Sequence, residues 1–169
     1  MKPEVLIIEQ EGILRQSLAT RLLEEGYRVF DLENTGDAVE IVSQCDIDVV
    51  LLGLDHLKRD AFSTLQQIKH IRPDAEVILL NSGEDIHLSI EGMKLGAFDD
   101  IFPPFDLGII TSRVKAAWNH KKKTSKAEEK ARPFPLAINR FVTTVGLSHV
   151  RLWYGQAMDH FREFELGHS

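Results

Sequence analysis

Short runs of apolar residues alternate with longer amphipathic stretches over the first 120 residues of the chain. The most apolar run, from Val49 to Leu52, lies within DIDVVLLGLD and ends on Gly53. A short run rich in β-branched residues and closed by a turn residue is typical of a strand buried on both faces, as in a parallel sheet. Similar runs predict five strands, at residues 5–8, 27–32, 49–53, 76–80 and 100–102.

Apolar residues at helical spacing follow each of these strands. They predict five helices, at residues 13–25, 38–45, 61–71, 86–95 and in a stretch that begins after Asp106 and runs toward the lysine-rich residues. Strands that alternate with helices predict an α/β fold with a doubly wound parallel sheet and right-handed crossovers. Ligand sites in such sheets lie beyond the carboxyl ends of the strands, so Gly53 stands at the mouth of any site.

Composition narrows the class of protein. The 169 residues, 43% of them hydrophobic, are enough for one core and a small second unit. No apolar run is long enough for a membrane span, and the single cysteine, Cys45, excludes an internal disulfide, so we expect a cytoplasmic protein with no membrane contact. Residues 1–105 carry a net charge of −11 and residues 106–169 one of +5, and we favour a solvated helix face over a nucleic-acid patch for the basic cluster.

Five segments carry a family resemblance that spans about residues 3–120. VLIIEQE, LLEEGYRV, DIDVVLLGLDHLKRDAF, VILLNSG and GAFDDIFPPF resemble, in order, the first to fifth strands of the receiver domain of two-component response regulators, with the loops that follow them. The resemblance implies a flavodoxin-like sheet with strand order 2-1-3-4-5. It also implies a cis peptide bond before Pro104, in the loop after the fifth strand.

The same resemblance implies a pocket in which an acidic pair and an aspartate bind Mg²⁺, and in which a histidine kinase phosphorylates that aspartate. The acidic pair falls on Glu9 and Gln10, and the phosphoacceptor falls on Gly53. The hydroxyl residue of the family falls on Asn81 and its lysine on Pro103. Mg²⁺ requires hard oxygen ligands, and Glu9 is the one weak candidate. We interpret this site as a degenerate phosphorylation pocket, with no catalytic residue, metal or cofactor.

Three other residues of interest lie near this pocket in the sequence or by the resemblance. Asp55 shares the strand parity of Gly53 but lies about 6–7 Å further along, so a solvated loop acid is favoured over a metal ligand. For His56, an exposed loop histidine is favoured over a proton acceptor. The switch aromatic of the family falls on Asp100, which we assign to an interaction surface.

The C-terminal part divides into two stretches. Residues 121–135, which follow the receiver-like domain at 1–120, are charged and bounded by prolines, and they predict a linker or a helix extension. Residues 136–169 are too apolar for a disordered segment and predict a C-terminal helical segment with a break at Gly146. Its aromatic residues extend the predicted interaction surface: Phe141, Trp153, Tyr154, Phe161 and Phe164.

Two functions compete on this sequence. The favoured one is a receiver-like signalling module that acts by protein–protein contact without phosphorylation, with a signalling protein or a second copy as partner and a homodimer preferred. The alternative is a DNA-binding transcriptional regulator, because VTTVGLSHVRL at residues 142–152 faintly resembles a helix-turn-helix. An enzyme is not expected, because the sequence shows no nucleophile paired with a base.

Overall fold

Residues 2–55, 58–83 and 86–131 are described by the structure, which is a computed structural model. Five strands alternate with five helices along this part of the chain. In order they are β1 (Glu4–Ile8), α1 (Gly12–Glu24), β2 (Arg28–Leu32), α2 (Ala38–Gln44), β3 (Val49–Gly53), α3 (Lys58–Ile71), β4 (Glu76–Leu80), α4 (Ile86–Lys94), β5 (Asp99–Ile101) and α5 (Leu107–Ala131).

The strands form one parallel sheet in the order β2-β1-β3-β4-β5. This confirms the predicted doubly wound, flavodoxin-like fold and its strand order. Every residue of β3 and of β4 is buried, as their unbroken apolar runs predict for strands covered on both faces. Because these strands are parallel, the carboxyl ends of β1, β3 and β4 meet at one edge of the sheet, where Glu9, Gly53 and Asn81 lie.

The helices cover the two faces of the sheet in separate layers. Successive residues of a strand point to opposite faces of the sheet, so alternate side chains of each strand pack in the two different layers. Helices α2 and α3 pack on Leu6, Ile8, Val50, Leu52, Val77 and Leu79. Helices α1 and α5 pack on Val5, Ile7, Val49, Leu51, Ile78 and Leu80. Cys45, which caps the end of α2, packs against the first of these layers.

The predicted boundaries of α3 and β5 differ from the structure, and most of the other elements begin or end one residue from the predicted position. Helix α3 begins at Lys58 rather than at residue 61, because its first turn is polar and carries no apolar spacing that marks a helix. Strand β5 covers Asp99–Ile101 rather than residues 100–102. Its pairing with β4 ends where Leu80 meets Ile101, and Phe102 is 44% exposed beyond that point.

Helix α4 approaches the sheet very closely at Gly92. A Cβ atom built on Gly92 would overlap the Cδ1 atom of Leu79 and lie 3.5 Å from a ring carbon of Phe62. Glycine is therefore the residue that lets α4 lie against β4 without displacing Leu79. The exposed face of the helix carries Ile86, Ile90 and Met93.

Helix α5 begins after Asp106, whose side chain accepts a hydrogen bond of 3.0 Å from the Ile109 N–H, as an N-cap does. It continues through the lysine-rich stretch to Ala131. Lys121 on this helix is buried, and its Nζ atom lies 2.9 Å from Asp48 and 3.3 Å from Asp74. Nζ also donates to the Ile47 carbonyl at 3.2 Å, so one ammonium group joins α5 to the amino-terminal edge of the sheet.

The chain divides into two units, Met1–Ser125 and Lys126–Ser169, and the whole sheet lies in the first. Within the described ranges, the helices lack the combination of length and apolar character that a membrane crossing requires.

Candidate functional site

Glu9 and Gly53 are neighbours at the carboxyl ends of β1 and β3. The register pairs Ile8 with Leu52, so the next residue on each strand lies beside the other. Glu9 is buried, and its Oε1 atom accepts a hydrogen bond of 2.9 Å from the Glu11 N–H. A Cβ atom built on Gly53 would lie 2.9 Å from the Glu9 Cδ atom and closer still to Oε2. The Glu9 carboxylate thus fills the space that a side chain at position 53 would enter.

The other acids near this edge accept hydrogen bonds from the backbone. Glu11 is the N-cap of α1, and its carboxylate accepts from the N–H groups of Ile13 and Leu14. Asp55 is partly buried and accepts a bond of 3.0 Å from the Ser82 N–H, which ties the loop after β3 to the loop after β4. Asp55 is therefore a partly buried loop acid that bridges the two loops, rather than a fully solvated one.

Two further predicted pocket residues lie at the surface. The side chain of Gln10 is exposed, and so is that of Pro103. The peptide bond between Pro103 and Pro104 is cis, which confirms the prediction for this loop.

Asn81 connects the end of β4 to α4. Its side chain is fully buried and donates a hydrogen bond of 2.8 Å to the Ser89 Oγ atom. Its own Oδ1 atom accepts a bond of 3.1 Å from the Gly83 N–H. Ser89 was not predicted as a site residue. Only the register of α4 against β4 shows that residue 89 faces Asn81.

Asp100 lies in a cleft between α4 and β5. The cleft is lined by apolar side chains together with one cation: Ile86, Ile90, Met93, Phe102 and Lys94. Both carboxylate oxygens of Asp100 are buried, and neither has a partner with hydrogen-bonding geometry among the described residues. Burial raises the pKa of Asp100, the interaction with the Ser89 hydroxyl lowers it in part, and the charge of Asp99 raises it further.

This burial predicts a pH-dependent stability effect. The pKa of Asp100 is raised above its ordinary value of 3.8, so the folded state holds this proton more tightly than the unfolded state. The stability contributed by the protonated form is complete below pH 3.8 and is lost as the pH rises through the raised value. We expect Asp100→Leu, which keeps the branching and removes the charge, to raise the free energy of unfolding at pH 7 by about 1–2 kcal/mol.

Urea unfolding at pH 7 and at pH 4 measures this effect, and the gain should be smaller at pH 4. Asp99→Leu is the matched control. Asp99 pairs with Arg113 at 3.3 Å, so its removal should not stabilise the protein. Equal or lower stability of Asp100→Leu at pH 7 would show that the Asp100 carboxylate is well solvated.

The remaining predicted site residues lie outside the described residues. They are His56 and the aromatic residues of the C-terminal segment: Phe141, Trp153, Tyr154, Phe161 and Phe164. Their assignment to an interaction surface stays a prediction.

Comparison with known proteins decides the family. The family model for the response regulator receiver domain matches residues 5–115, which include every strand except the first residue of β1. This chain belongs to the response regulator receiver domain family. The family comprises the signalling modules of two-component systems, as the resemblance of the five segments predicts.

Curated relatives of this receiver domain include transcriptional regulators. It is 32% identical over 124 residues to the probable transcriptional regulator ycf27 of Guillardia theta, covering 73% of this chain and 48% of the relative. It is 29% identical over 115 residues to sporulation initiation phosphotransferase F of Bacillus subtilis, covering 68% of this chain and 93% of the relative. The chain spans about half the length of the ycf27 proteins that it matches.

Solved structures agree with this fold. A receiver domain protein from Clostridium thermocellum is 27% identical, with a TM-score of 0.67 over 72% of this chain and 98% of the other. NtrX from Brucella abortus gives a TM-score of 0.72 at 20% identity, over 85% of this chain and 34% of the other.

Proposed function

We propose that this receiver domain signals through protein–protein contact without phosphorylation at position 53. The observation that carries the proposal is the Glu9 carboxylate, which lies where the side chain of residue 53 would be. Transfer of a phosphoryl group to the protein requires a nucleophilic side chain, and glycine has none. Glu9 is itself hydrogen-bonded to the Glu11 N–H and buried, so it is a poor substitute acceptor.

The residues present do not fit the magnesium ion that the family implies. Mg²⁺ requires oxygen ligands in octahedral geometry, with one or two carboxylates from the protein. Around Gly53 the available carboxylate is that of Glu9, while Gln10 is exposed and Asp55 is bonded to Ser82. Among the residues that the structure describes, no three or more His, Cys, Asp or Glu side chains gather where a metal ion could be held. We infer that Mg²⁺ binds weakly or not at all.

The hydroxyl position of the family and the apolar surface beside it also support the proposal. The family resemblance implies that the hydroxyl residue moves toward a bound phosphoryl group. In this chain the residue at that position is Asn81, and its side chain donates a hydrogen bond to Ser89 on α4. The bond joins β4 to α4 in the unmodified protein. The outer surface beside it is apolar, with Ile86 67% and Phe102 44% exposed. A surface of this kind favours docking of a protein partner.

We expect the full chain to gain no phosphoryl group after incubation with acetyl phosphate and Mg²⁺, because position 53 provides no acceptor. Intact-mass measurement tests this, with a receiver domain that keeps the acceptor aspartate treated in parallel as the positive control. A stable mass gain of one phosphoryl group would refute the proposal. Asp55→Asn and Glu9→Gln would then show which carboxylate received it.

The names of the relatives favour a second candidate function. Several of them are called transcriptional regulators, so a DNA-binding role through residues 142–152 stays open for this chain. Binding to DNA weakens steeply as salt rises, because bound counterions are released. A gel shift of the full chain across a salt series therefore tests this function, and a complex that is insensitive to salt or absent would count against it.

Three narrower expectations also stay proposals. The partner is a signalling protein or a second copy of this chain, and a homodimer built around residues 136–165 is preferred, because so apolar a segment favours burial in an interface. The cytoplasmic location rests on the single cysteine. Sedimentation equilibrium of the full chain tests the dimer, and a monomer at all concentrations would exclude it.

A further inference from the structure

Helix α5 carries a buried stripe that changes from apolar to polar along its length. Ile110, Val114 and Ala117 are fully buried in the layer that α5 shares with α1. Residues three and four apart lie on one face of a helix, so the next position of this stripe is residue 121. Lys121 is buried there, and α5 therefore meets the sheet through an ammonium group where an apolar side chain would continue the stripe.

Charged contacts hold α5 at this point. The Lys121 Nζ atom lies 2.9 Å from Asp48 and 3.3 Å from Asp74. One residue earlier, the His120 Nδ1 atom lies 2.6 Å from the Glu76 Oε1 atom. The three acids come just before β3, just before β4 and at the first residue of β4, so all of these contacts lie at the amino-terminal edge of the sheet.

Little apolar surface accompanies these contacts. Among the described residues, Trp118 is the last side chain of α5 that packs in the layer shared with α1. The His120 ring lies 5.3 Å from the Phe98 ring between centroids, but the His120 side chain is 56% exposed. Thr124 and Ser125, one turn further along, are polar and only partly buried.

We propose that residues 119–125 form a strap, which the charged contacts of His120 and Lys121 fasten to the sheet and which opens while the rest of the domain stays folded. Opening leaves the apolar layer up to Trp118 intact. It also returns the cations and their acids to water together, so no charge stays buried without a partner. Local opening of this kind requires less free energy than unfolding of the sheet. The strap lies at the opposite edge of the sheet from Gly53, so it does not depend on the pocket or on the proposed function.

Acylation of lysine amines tests the proposal on the full chain. The N-hydroxysuccinimide ester of acetic acid reacts with accessible amines, and peptide mass spectrometry after a low dose gives the rate at each lysine. Lys123 is exposed on the same helix and provides the internal reference. We expect Lys121 to react about hundredfold more slowly than Lys123, because its amine is accessible only when the strap is open.

The urea dependence of this rate distinguishes strap opening from global unfolding. Strap opening exposes little surface, so urea below the unfolding transition should change the Lys121 rate less than about twofold. A Lys121 rate that rises with urea as steeply as the equilibrium constant for unfolding would mean that the amine is exposed only in the unfolded chain, and the proposal would be wrong.

Two aspartates at the same edge of the sheet provide matched variants. Asp74→Asn removes a carboxylate that is 37% exposed and pairs with Lys121, so the Lys121 rate should rise about fivefold. Asp46→Asn removes a carboxylate that pairs with Arg72 and should change the rate less than about twofold. Equal effects of the two variants would overturn the proposal, and so would equal rates at Lys121 and Lys123 in the unaltered chain.

Discussion

Replacement of Gly53 by alanine will lower the free energy of unfolding by about 1 kcal/mol, the low end for overpacking of a buried site, because the group that must shift is the end of the Glu9 side chain. The sign is unusual, because alanine within a strand is normally more stable than glycine by about 0.5–1 kcal/mol. Here the new methyl group would meet the Glu9 carboxylate, with its Cβ atom 2.9 Å from Cδ. The carboxylate must then move from a buried position and weaken its bond to the Glu11 N–H.

A double-mutant cycle with Glu9→Ala provides the control. Once the Glu9 side chain is shortened, Gly53→Ala should be neutral or stabilising, because the methyl group enters empty space and the glycine entropy cost is removed. Urea unfolding of the four proteins gives the coupling free energy, expected at about 1–3 kcal/mol for residues in contact. Additive effects of the two substitutions would mean that Glu9 does not occupy the space beside Gly53.

Loss of the Lys121 ammonium group will destabilise the protein by about 3 kcal/mol. The Nζ atom lies 2.9 Å from Asp48 and 3.3 Å from Asp74, and the Lys121 side chain is 8% exposed. Lys121→Met keeps the apolar stem but leaves the Asp48 carboxylate, itself only 18% exposed, without this cation. Removal of one partner from a buried pair costs about 3–5 kcal/mol, and the greater exposure of Asp74 places our value at the lower end.

Lys123→Met is the matched control for this experiment. Lys123 lies on the same helix and its side chain is exposed, so the substitution should change stability by less than about 0.5 kcal/mol. Chemical unfolding of both variants at pH 7 provides the comparison. Similar values for the two variants would show that the contacts of Lys121 with Asp48 and Asp74 are weak.

The fold was predictable because its strands are buried on both faces. The runs that end on Ile8, Gly53 and Leu80 are apolar without alternation, and a parallel sheet is the structure that buries such runs. The first turn of α3 was not predictable, since Lys58 to Asp60 are polar and carry no helical spacing. Strand β5 has only three residues, so a shift by one residue leaves little trace in the sequence pattern.

The candidate site was predictable in its positions but not in its contacts. Glu9 and Gly53 can be placed side by side from the strand order alone, whereas the filling of one position by the other depends on a rotamer. Asp55 and Ser82 lie 27 residues apart, and only the folded loops bring the carboxylate to that N–H group. The burial of Asp100 without a partner depends on how α4 lies against β5, which no spacing in the sequence encodes.

The close approach at Gly92 also has a mechanical consequence for α4. Near the carboxyl end of α4, Leu79 leaves no room for a side chain on residue 92. Ile86, at the other end, is 67% exposed. Between these ends the Ser89 hydroxyl accepts a bond from Asn81, so a side chain on residue 92 would push the carboxyl end of α4 away from Leu79 while this bond holds the middle of the helix to the end of β4.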